Sequence, residues 1–171
     1  MAAAVAVATG EKIERKYLAH YLNATPGTES ETYEKIGKDL EEFTTNMNAD
    51  IETNHNIWGE VAINLKGYEP DASAEPYYAR KGTKLFDYLQ NIIDNRLTGS
   101  KVETDYVEVH TWEEAVSGKY TAYKETVIVE VTSYGGDYGG YQIPFTLHFS
   151  GDRVKGKFDP TTKTFTADDA A

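Results

Sequence analysis

From Glu42 to Ile57 hydrophobic and polar positions alternate without interruption. Phe43, Thr45, Met47, Ala49, Ile51, Thr53, His55 and Ile57 occupy one parity, and carboxylates, amides and a hydroxyl from Glu42 to Asn56 the other. A period of two is that of a β-strand with one buried and one wet face. The run is two to three times the usual strand length of about five or six residues. It therefore predicts a long ribbon, or a hairpin turning near Ala49 or Asp50. Val61, Ile63 and Leu65 continue the alternation opposite Ala62, Asn64 and Lys66, and Tyr68–Glu75 extends it past Gly67.

Other segments read in the same way. Arg15–Asn23 predicts a first strand, closed by the Pro-Gly loop Ala24–Glu31, and Tyr33–Gly37 a short second one. Lys84–Leu97 is the helix: Leu85, Phe86, Leu89, Ile92, Ile93 and Leu97 fall on one stripe. Thr83 is placed to cap it, Asp87 and Arg96 suit its dipole, and Gly99 is placed to end it. Val102–Trp112 is a strand with apolar residues on both parities. Tyr120–Ser133 sets Tyr123, Val127, Val129 and Val131 against Lys124, Thr126, Glu130 and Thr132. Tyr141–Ser150 points Ile143, Phe145, Leu147 and Phe149 inward and Gln142, Thr146 and His148 outward. Between the last two, Tyr134–Gly140 reads as a glycine-rich hairpin tip. Ser150–Asp152 turns into Arg153–Phe158, and Lys163–Thr166 closes the chain's last strand. The order of strands, one helix, then more strands predicts a mainly β fold, a β-sandwich or open barrel with one flanking helix.

Charge sharpens this picture. The 171 residues carry a net charge of -11, which argues against a tightly held nucleic acid, since phosphate contacts need Lys and Arg. It leaves open a polyanion that passes by. No Lys or Arg lies between Asp39 and Leu65, so the wet face of the alternating run is weakly acidic throughout. There is no cysteine, hence no disulfide framework, thiolate metal site or cysteine nucleophile. The apolar N-terminal run of about eight residues lacks a basic flank and falls far short of the roughly twenty needed to span a bilayer. Residues 1–13 are expected to form a flexible arm, residues 14–166 one domain, and 167–171 a short tail.

Catalytic chemistry is not indicated. His20, His55, His110 and His148 lie on four separate predicted strands without metal-ligand spacing, so neither a metal nor a cofactor is expected. The Tyr134–Gly140 glycines join two strands and are followed by no Lys, unlike a phosphate loop. Glu41-Glu42 and Glu113-Glu114 are adjacent on strands and point to opposite faces, so neither pair flanks a bond. An enzyme is not expected. Thirteen tyrosines leave two readings open. Most pack at sheet edges and subunit seams, or Tyr134, Tyr138 and Tyr141 form the contact surface of a monomeric carbohydrate-binding β-sandwich.

Several segments, in order, carry a resemblance across residues 14–166. They are KYLAHYLN, YEKIGKDLEEFTTNMNADIETNHNIWGE, VAINLKGYEPDASAE, GTKLFDYLQNIID, YTAYKETVIVEVTSYGGD and FSGDRVKGKFDPTTKTF. The chain resembles the major tail proteins (tail tube proteins) of long-tailed, siphophage-type bacteriophages, especially those infecting Gram-positive bacteria. Contractile-tail tubes and the inner tube of contractile injection systems share that fold and stay open as alternatives. The resemblance implies a structural virion protein assembled in the host cytoplasm. Hexameric rings would stack head to tail, and four strands per subunit would close into one barrel lining a conduit for double-stranded DNA. It also implies a tape measure protein inside the tube, with a tail terminator and a distal tail protein at its ends, and no membrane.

A barrel of roughly 24 strands has a backbone diameter of roughly 50 Å and a bore of about 35–40 Å, wide enough for a duplex. The expected lining is the polar faces of Leu40–Asn48, Glu60–Lys66, Tyr120–Ser133 and Tyr141–Ser150. It includes Glu42, Thr44, Asn46 and Asn48, then Asp50 and Glu52, with Asn64, Thr126, Glu130 and Thr146 from the later strands. Lys124 fits this lining least, and Glu130 is expected to offset it. Ile51, Ile57, Trp58, Tyr134 and Tyr138 are the expected contacts between subunits or rings, although Trp58 equally suits the subunit's own core.

Overall fold

The computed structural model describes residues 6–168. It is mainly β, with one helix against a strongly curled sheet. The expected first strand is shorter than its pattern: Arg15–Tyr17 forms a 3-10 turn, and β1 is Leu18–Asn23. Then follow β2 (Tyr33–Ile36), β3 (Thr45–Asn46), β4 (Ala49–His55), β5 (Val61–Tyr68) and β6 (Asp71–Ala74). Helix α1 spans Lys84–Asn95, and β7 (Glu103–His110) and β8 (Tyr120–Val131) come after it. Tyr141–Ser150 is not one strand. It divides into β10 (Gly140–Gln142), which pairs with β9 (Gly135–Asp137), and β11 (Phe145–Phe149), with buried Pro144 unable to donate to the ladder between them. The chain continues into β12 (Val154–Asp159) and β13 (Thr164–Ala167). Among the described residues no helix is long and apolar enough to cross a membrane.

The main sheet runs β2-β1-β7-β8-β11-β6-β3, with β12 and β13 branching from β8. β8 makes this branch possible. Its N-terminal half pairs with β12 (Lys124↔Val154 to Tyr120↔Phe158), and its C-terminal half pairs with β11 (Val127↔Phe149 to Val131↔Phe145). At the junction both Ser150 and Gly151 donate backbone N–H bonds to the Thr126 carbonyl. A Cβ on Gly151 would lie 2.9 Å from the Thr126 Cβ, so the chain needs a glycine to pass this close.

The curl gives two cores on opposite faces. On one, α1 covers Val127, Val129, Leu147, Phe145, Ala72 and Ala74 with Leu85, Leu89, Ile92 and Ile93. On the other, Ala19, Tyr21, Tyr33, Val107, Val109, Ala122 and Phe158 form a smaller cluster, packed by Phe165. The mixed parity of Val102–Trp112 is thereby explained: Tyr106 enters the helix core while Val107 and Val109 enter the smaller one on the opposite face. For the same reason Ala122 is buried on the face expected to be polar in Tyr120–Ser133.

The helix starts as its sequence predicts, with the Thr83 hydroxyl accepting from the Phe86 N–H at 3.3 Å. Glu34 of β2 adds a cap from outside, its carboxylate accepting from the Lys84 and Leu85 N–H groups at 2.8 and 3.3 Å. The end differs from expectation. Arg96 caps it in the left-handed conformation at φ 49°, with the Leu97 N–H reaching back to the Ile92 carbonyl, while Gly99 (φ 63°) lies beyond, at the start of a 3-10 turn.

Candidate functional site

The long alternating run is a ribbon, but its turn lies at Asn56–Glu60, not near Ala49 or Asp50. β4 pairs with β5 from His55↔Val61 to Ala49↔Tyr68. The pairing offset at Asp50↔Gly67 is that of Thr45↔Ala72 and Asn46↔Asp71, so β3–β4 and β5–β6 form one two-stranded ribbon. β6 anchors the base to β11, and β4–β5 stand clear of the main sheet as a separate pair.

The expectation of one buried face fails within this subunit. Phe43 is buried, but Met47, Ile51 and Ile57 are exposed, as are Val61, Ile63 and Leu65 of the partner strand. Ile51↔Leu65 and Thr53↔Ile63 place these side chains on one side, while Glu52↔Asn64 and Asn54↔Ala62 face the other. The ribbon is amphipathic and its apolar side is uncovered by its own chain.

The tip is preformed. The Asn56 side-chain carbonyl accepts from the Trp58 and Glu60 N–H groups, both at 3.0 Å, and Gly59 takes φ 78°. This Asx turn holds Ile57 at 96% and Trp58 at 80% exposure. Trp58 therefore does not belong to the subunit's own core. Covering Ile51, Ile57, Trp58, Val61, Ile63 and Leu65 is worth on the order of 10 kcal/mol before association costs.

At the ribbon base Asn48 adopts φ 44°. Its Nδ2 donates to the Glu69 carbonyl at 3.0 Å and to Asp71 at 2.8 Å, while Asn46 Nδ2 donates to the other Asp71 oxygen at 2.8 Å. These donors, Asn46 first and then Asn48, hold the Asp71 carboxyl below the usual carboxylate range.

From Asp71 an exposed polar face extends over β11 and β8, opposite the helix. Ser73 and Thr146 hydroxyls bond at 2.9 Å, and His148 Nε2 lies 2.7 Å from Glu130. Asn46, Thr126, Glu130 and Thr146 thus share one sheet face, by registers β3–β6–β11–β8. Asp50, Glu52 and Asn64 belong to the ribbon beyond it, where Glu52 pairs with Lys66 at 3.0 Å. Glu42 and Thr44 are exposed in the segment before β3, bonded to each other at 3.0 Å. Lys124 is offset by Asp105 at 3.1 Å and not by Glu130, which β8's register places six residues along the strand.

The two tyrosines of the glycine hairpin stand apart from this face. Tyr138 is fully exposed at the β9–β10 turn. Tyr134 is half-exposed, with the Arg96 guanidinium 5.7 Å above its ring.

A second polar cluster, which sequence reasoning missed, lies on the helix-side face near β1, β7 and β8. Arg153 bridges Glu108 and Glu125 at 2.6 Å each and stacks over Tyr123 at 4.4 Å. Glu108 also takes His110 Nε2 at 2.9 Å, and the His110 ring stacks on Trp112 at 4.1 Å. Nearby, Arg15 donates to His20 Nε2 at 2.8 Å, which requires the Nδ1–H tautomer facing the Tyr106 hydroxyl. Burial, then the Arg15 charge, pushes the His20 pKa down to about 4. Each of these groups is engaged by another, so the cluster reads as an internal strut. Its only sequence signal was charged and polar residues within strands otherwise rich in valine. Among the described residues no group of His, Cys, Asp and Glu is arranged to hold a metal.

A scan against protein-family models and a search of curated proteins found no match to this chain.

Proposed function

We propose that this chain is a structural virion protein that polymerises as stacked hexameric rings to form a phage tail tube, the conduit for double-stranded DNA. The observation that carries the reading is the free-standing ribbon. It keeps an apolar side uncovered, while its polar side continues at the base into a sheet face of Asn46, Asp71, Ser73, Thr146 and Glu130. An exposed apolar stripe of this extent marks a surface that other chains cover. The polar face, with Lys124 neutralised by Asp105, suits a wall past which a polyanion slides, because a cationic wall would release counterions and hold the duplex.

The ordered sequence resemblance supports the same reading and supplies its finer parts. These are sixfold symmetry, a tape measure protein in the bore, a terminator and a distal tail protein at the ends, and residence in the virion tail. On this reading Ile51, Ile57, Trp58, Tyr134 and Tyr138 contact neighbouring subunits, and no catalysis is involved. The inner tube of a contractile injection system is the variant of this reading in which a sheath surrounds the same tube.

Negative-stain electron microscopy of the concentrated protein, alone and with its tail partners, is the direct test. Rings or tubes are expected; monomers in every condition overturn the proposal. Full exposure of Tyr138 on a glycine hairpin is the one feature favouring a monomeric carbohydrate-binding sandwich. Glycan binding lost on changing Tyr134 and Tyr138 to Ala selects that reading instead.

A further inference from the structure

At the far end of the sheet from the ribbon tip lies a groove of about 550 Å³ between the last turn of α1, the Thr98–Gly99 turn and the end of β8. Ile92, Leu97, Val102, Ile128, Val131 and Tyr134 line it. It coincides with an open strand edge. β7 pairs with β8 only from Glu103↔Ile128 onward, so beyond Ile128 the β7 side of β8 has no strand neighbour among the described residues. Its other side is paired with β11 as far as Val131↔Phe145. The groove thus offers apolar walls and unpaired backbone together, the combination that takes up an extended segment or hairpin.

We infer that this groove is the receptor for the Ile57–Trp58 tip of a second copy's ribbon. The inference rests on the tube reading and deepens it by naming the acceptor. Three observations favour this occupant. The tip is shaped by the Asn56 turn, presents the apolar side chains Ile57 and Trp58, and finds no cover in its own chain. Its charge complements the groove: the tip carries Glu60 and no cation, and the groove's one cation is Arg96, placed beside the Tyr134 ring. The groove's carboxylate, Glu130, is already held by His148 at 2.7 Å.

The third observation is direction. Ala74, Phe145 and Val131 lie level at the groove end of the sheet, and Asp71, His148 and Ile128 lie toward the other end. β5 leaves Asp71 away from the groove, so the tip points in the opposite direction. A tip cannot enter its own groove. Tip-in-groove contact is head-to-tail, and its repetition generates an open stack, not a closed pair. Trp58 then lies within reach of Arg96, adding a cation–π contact to the apolar burial.

The absence of cysteine from the chain makes the test direct. Ile57→Cys, which keeps Trp58, and Thr98→Cys, on the exposed groove rim, are purified separately, mixed under assembly conditions and oxidised. The expected result is a reductant-sensitive dimer band containing most of the limiting partner. Replacing Thr98→Cys by Thr161→Cys, in the exposed β12–β13 turn, abolishes it, and adding Trp58→Ala to the Ile57→Cys chain reduces it at least tenfold. Tubes or rings that form without the Ile57–Thr98 cross-link overturn the docking and leave the tube reading standing. No cross-link together with no assembly overturns both. Equal cross-linking to Thr98 and Thr161 also overturns the docking, because it reports random collision.

Discussion

The Asn48 carboxamide donates to the Asp71 carboxylate at 2.8 Å, across the point where the ribbon leaves the sheet and where Asn48 itself turns to φ 44°. Asn46 donates to the same carboxylate. One acidic side chain therefore fixes the angle at which β4 and β5 project.

Asp71→Ala is accordingly expected to loosen the ribbon more than the fold. Hydrogen exchange of β4 and β5 amides should accelerate about tenfold, while the unfolding free energy of the main sheet, measured in urea, changes by under about 1 kcal/mol. Because the Asp71 carboxyl is depressed, its contribution is present above the unfolded value near 3.9 and is lost as pH falls through the lower folded value. Ribbon protection should persist at pH 5 and weaken only below about pH 4. Unchanged exchange in Asp71→Ala would show that the β-ladder alone sets the angle.

His20 shows the opposite charge logic. Its imidazole is neutral in the fold, with a pKa near 4, against about 6.5 in an unfolded chain. The unfolded chain takes up the proton first as pH falls. This stabilisation is therefore complete above about pH 6.5 and is lost as pH drops toward 4, by on the order of 3 kcal/mol. Gln at position 20 can accept from Arg15 and donate to Tyr106 without titrating. The stability difference between wild type and His20→Gln should shift against wild type by about 2–3 kcal/mol between pH 7.5 and 4.5. A difference that stays constant with pH refutes this account.

The ribbon, the helix and most strands were legible because each carries its period in consecutive residues. What the alternation of Glu42–Ile57 did not disclose was that, beyond Phe43 at its start, neither side is buried within the subunit. Periodicity reports that two faces differ, and it does not report what lies opposite them. The same limit misplaced the turn: Asn56 makes its Asx bonds to residues two and four ahead, while the αL residue Asn48 is only a bend. Arg153 with Glu108 and Glu125, and the Glu34 cap on α1, join residues 28 to 51 positions apart. Such pairs leave no local mark. On the candidate face, Asn46, Thr126, Glu130 and Thr146 followed from parity, whereas Asp71, which organises its corner, lay outside every segment expected to line it.

Glu34→Ala is expected to cost about 1–2 kcal/mol and Thr83→Ala about 1 kcal/mol, since each leaves helix N–H groups without an acceptor and Glu34 also loses its favourable place at the positive end of the dipole. The double variant should cost less than the sum, because both act on the same frayed turn. Urea unfolding of the three variants measures this. Full additivity would mean that Thr83 and Glu34 stabilise α1 independently.

Trp58 offers an optical report on assembly. The chain has two tryptophans, and the other, Trp112, is half-buried against His110. In a Trp112→Phe background all indole emission comes from Trp58, 80% exposed in the single subunit. Dispersed protein should emit far to the red and be readily quenched by acrylamide; assembled protein should shift blue and resist quenching. Blue, protected emission from the dispersed chain would mean that the tip folds back on its own subunit.

The sheet face that carries the Ser73–Thr146 hydroxyl pair is open to a gain-of-binding test, and the sign of the result decides which way that face looks. Ser73→Lys with Thr146→Lys adds two cations per subunit beside Glu130 and Asp71 without touching the ribbon or the helix core. If the face lines the bore, assembled variant should retain duplex DNA in a nuclease-protected form. Its affinity should fall steeply from 50 to 200 mM salt, by about 0.9 in log–log slope per phosphate engaged. Wild-type assemblies should retain none. Asn91→Lys with Asn95→Lys, on the exposed side of α1, places the same added charge outside and should bind DNA that nuclease removes. Protected DNA in the helix variant, or none in the sheet variant once assembly is verified, would put the sheet face on the outside.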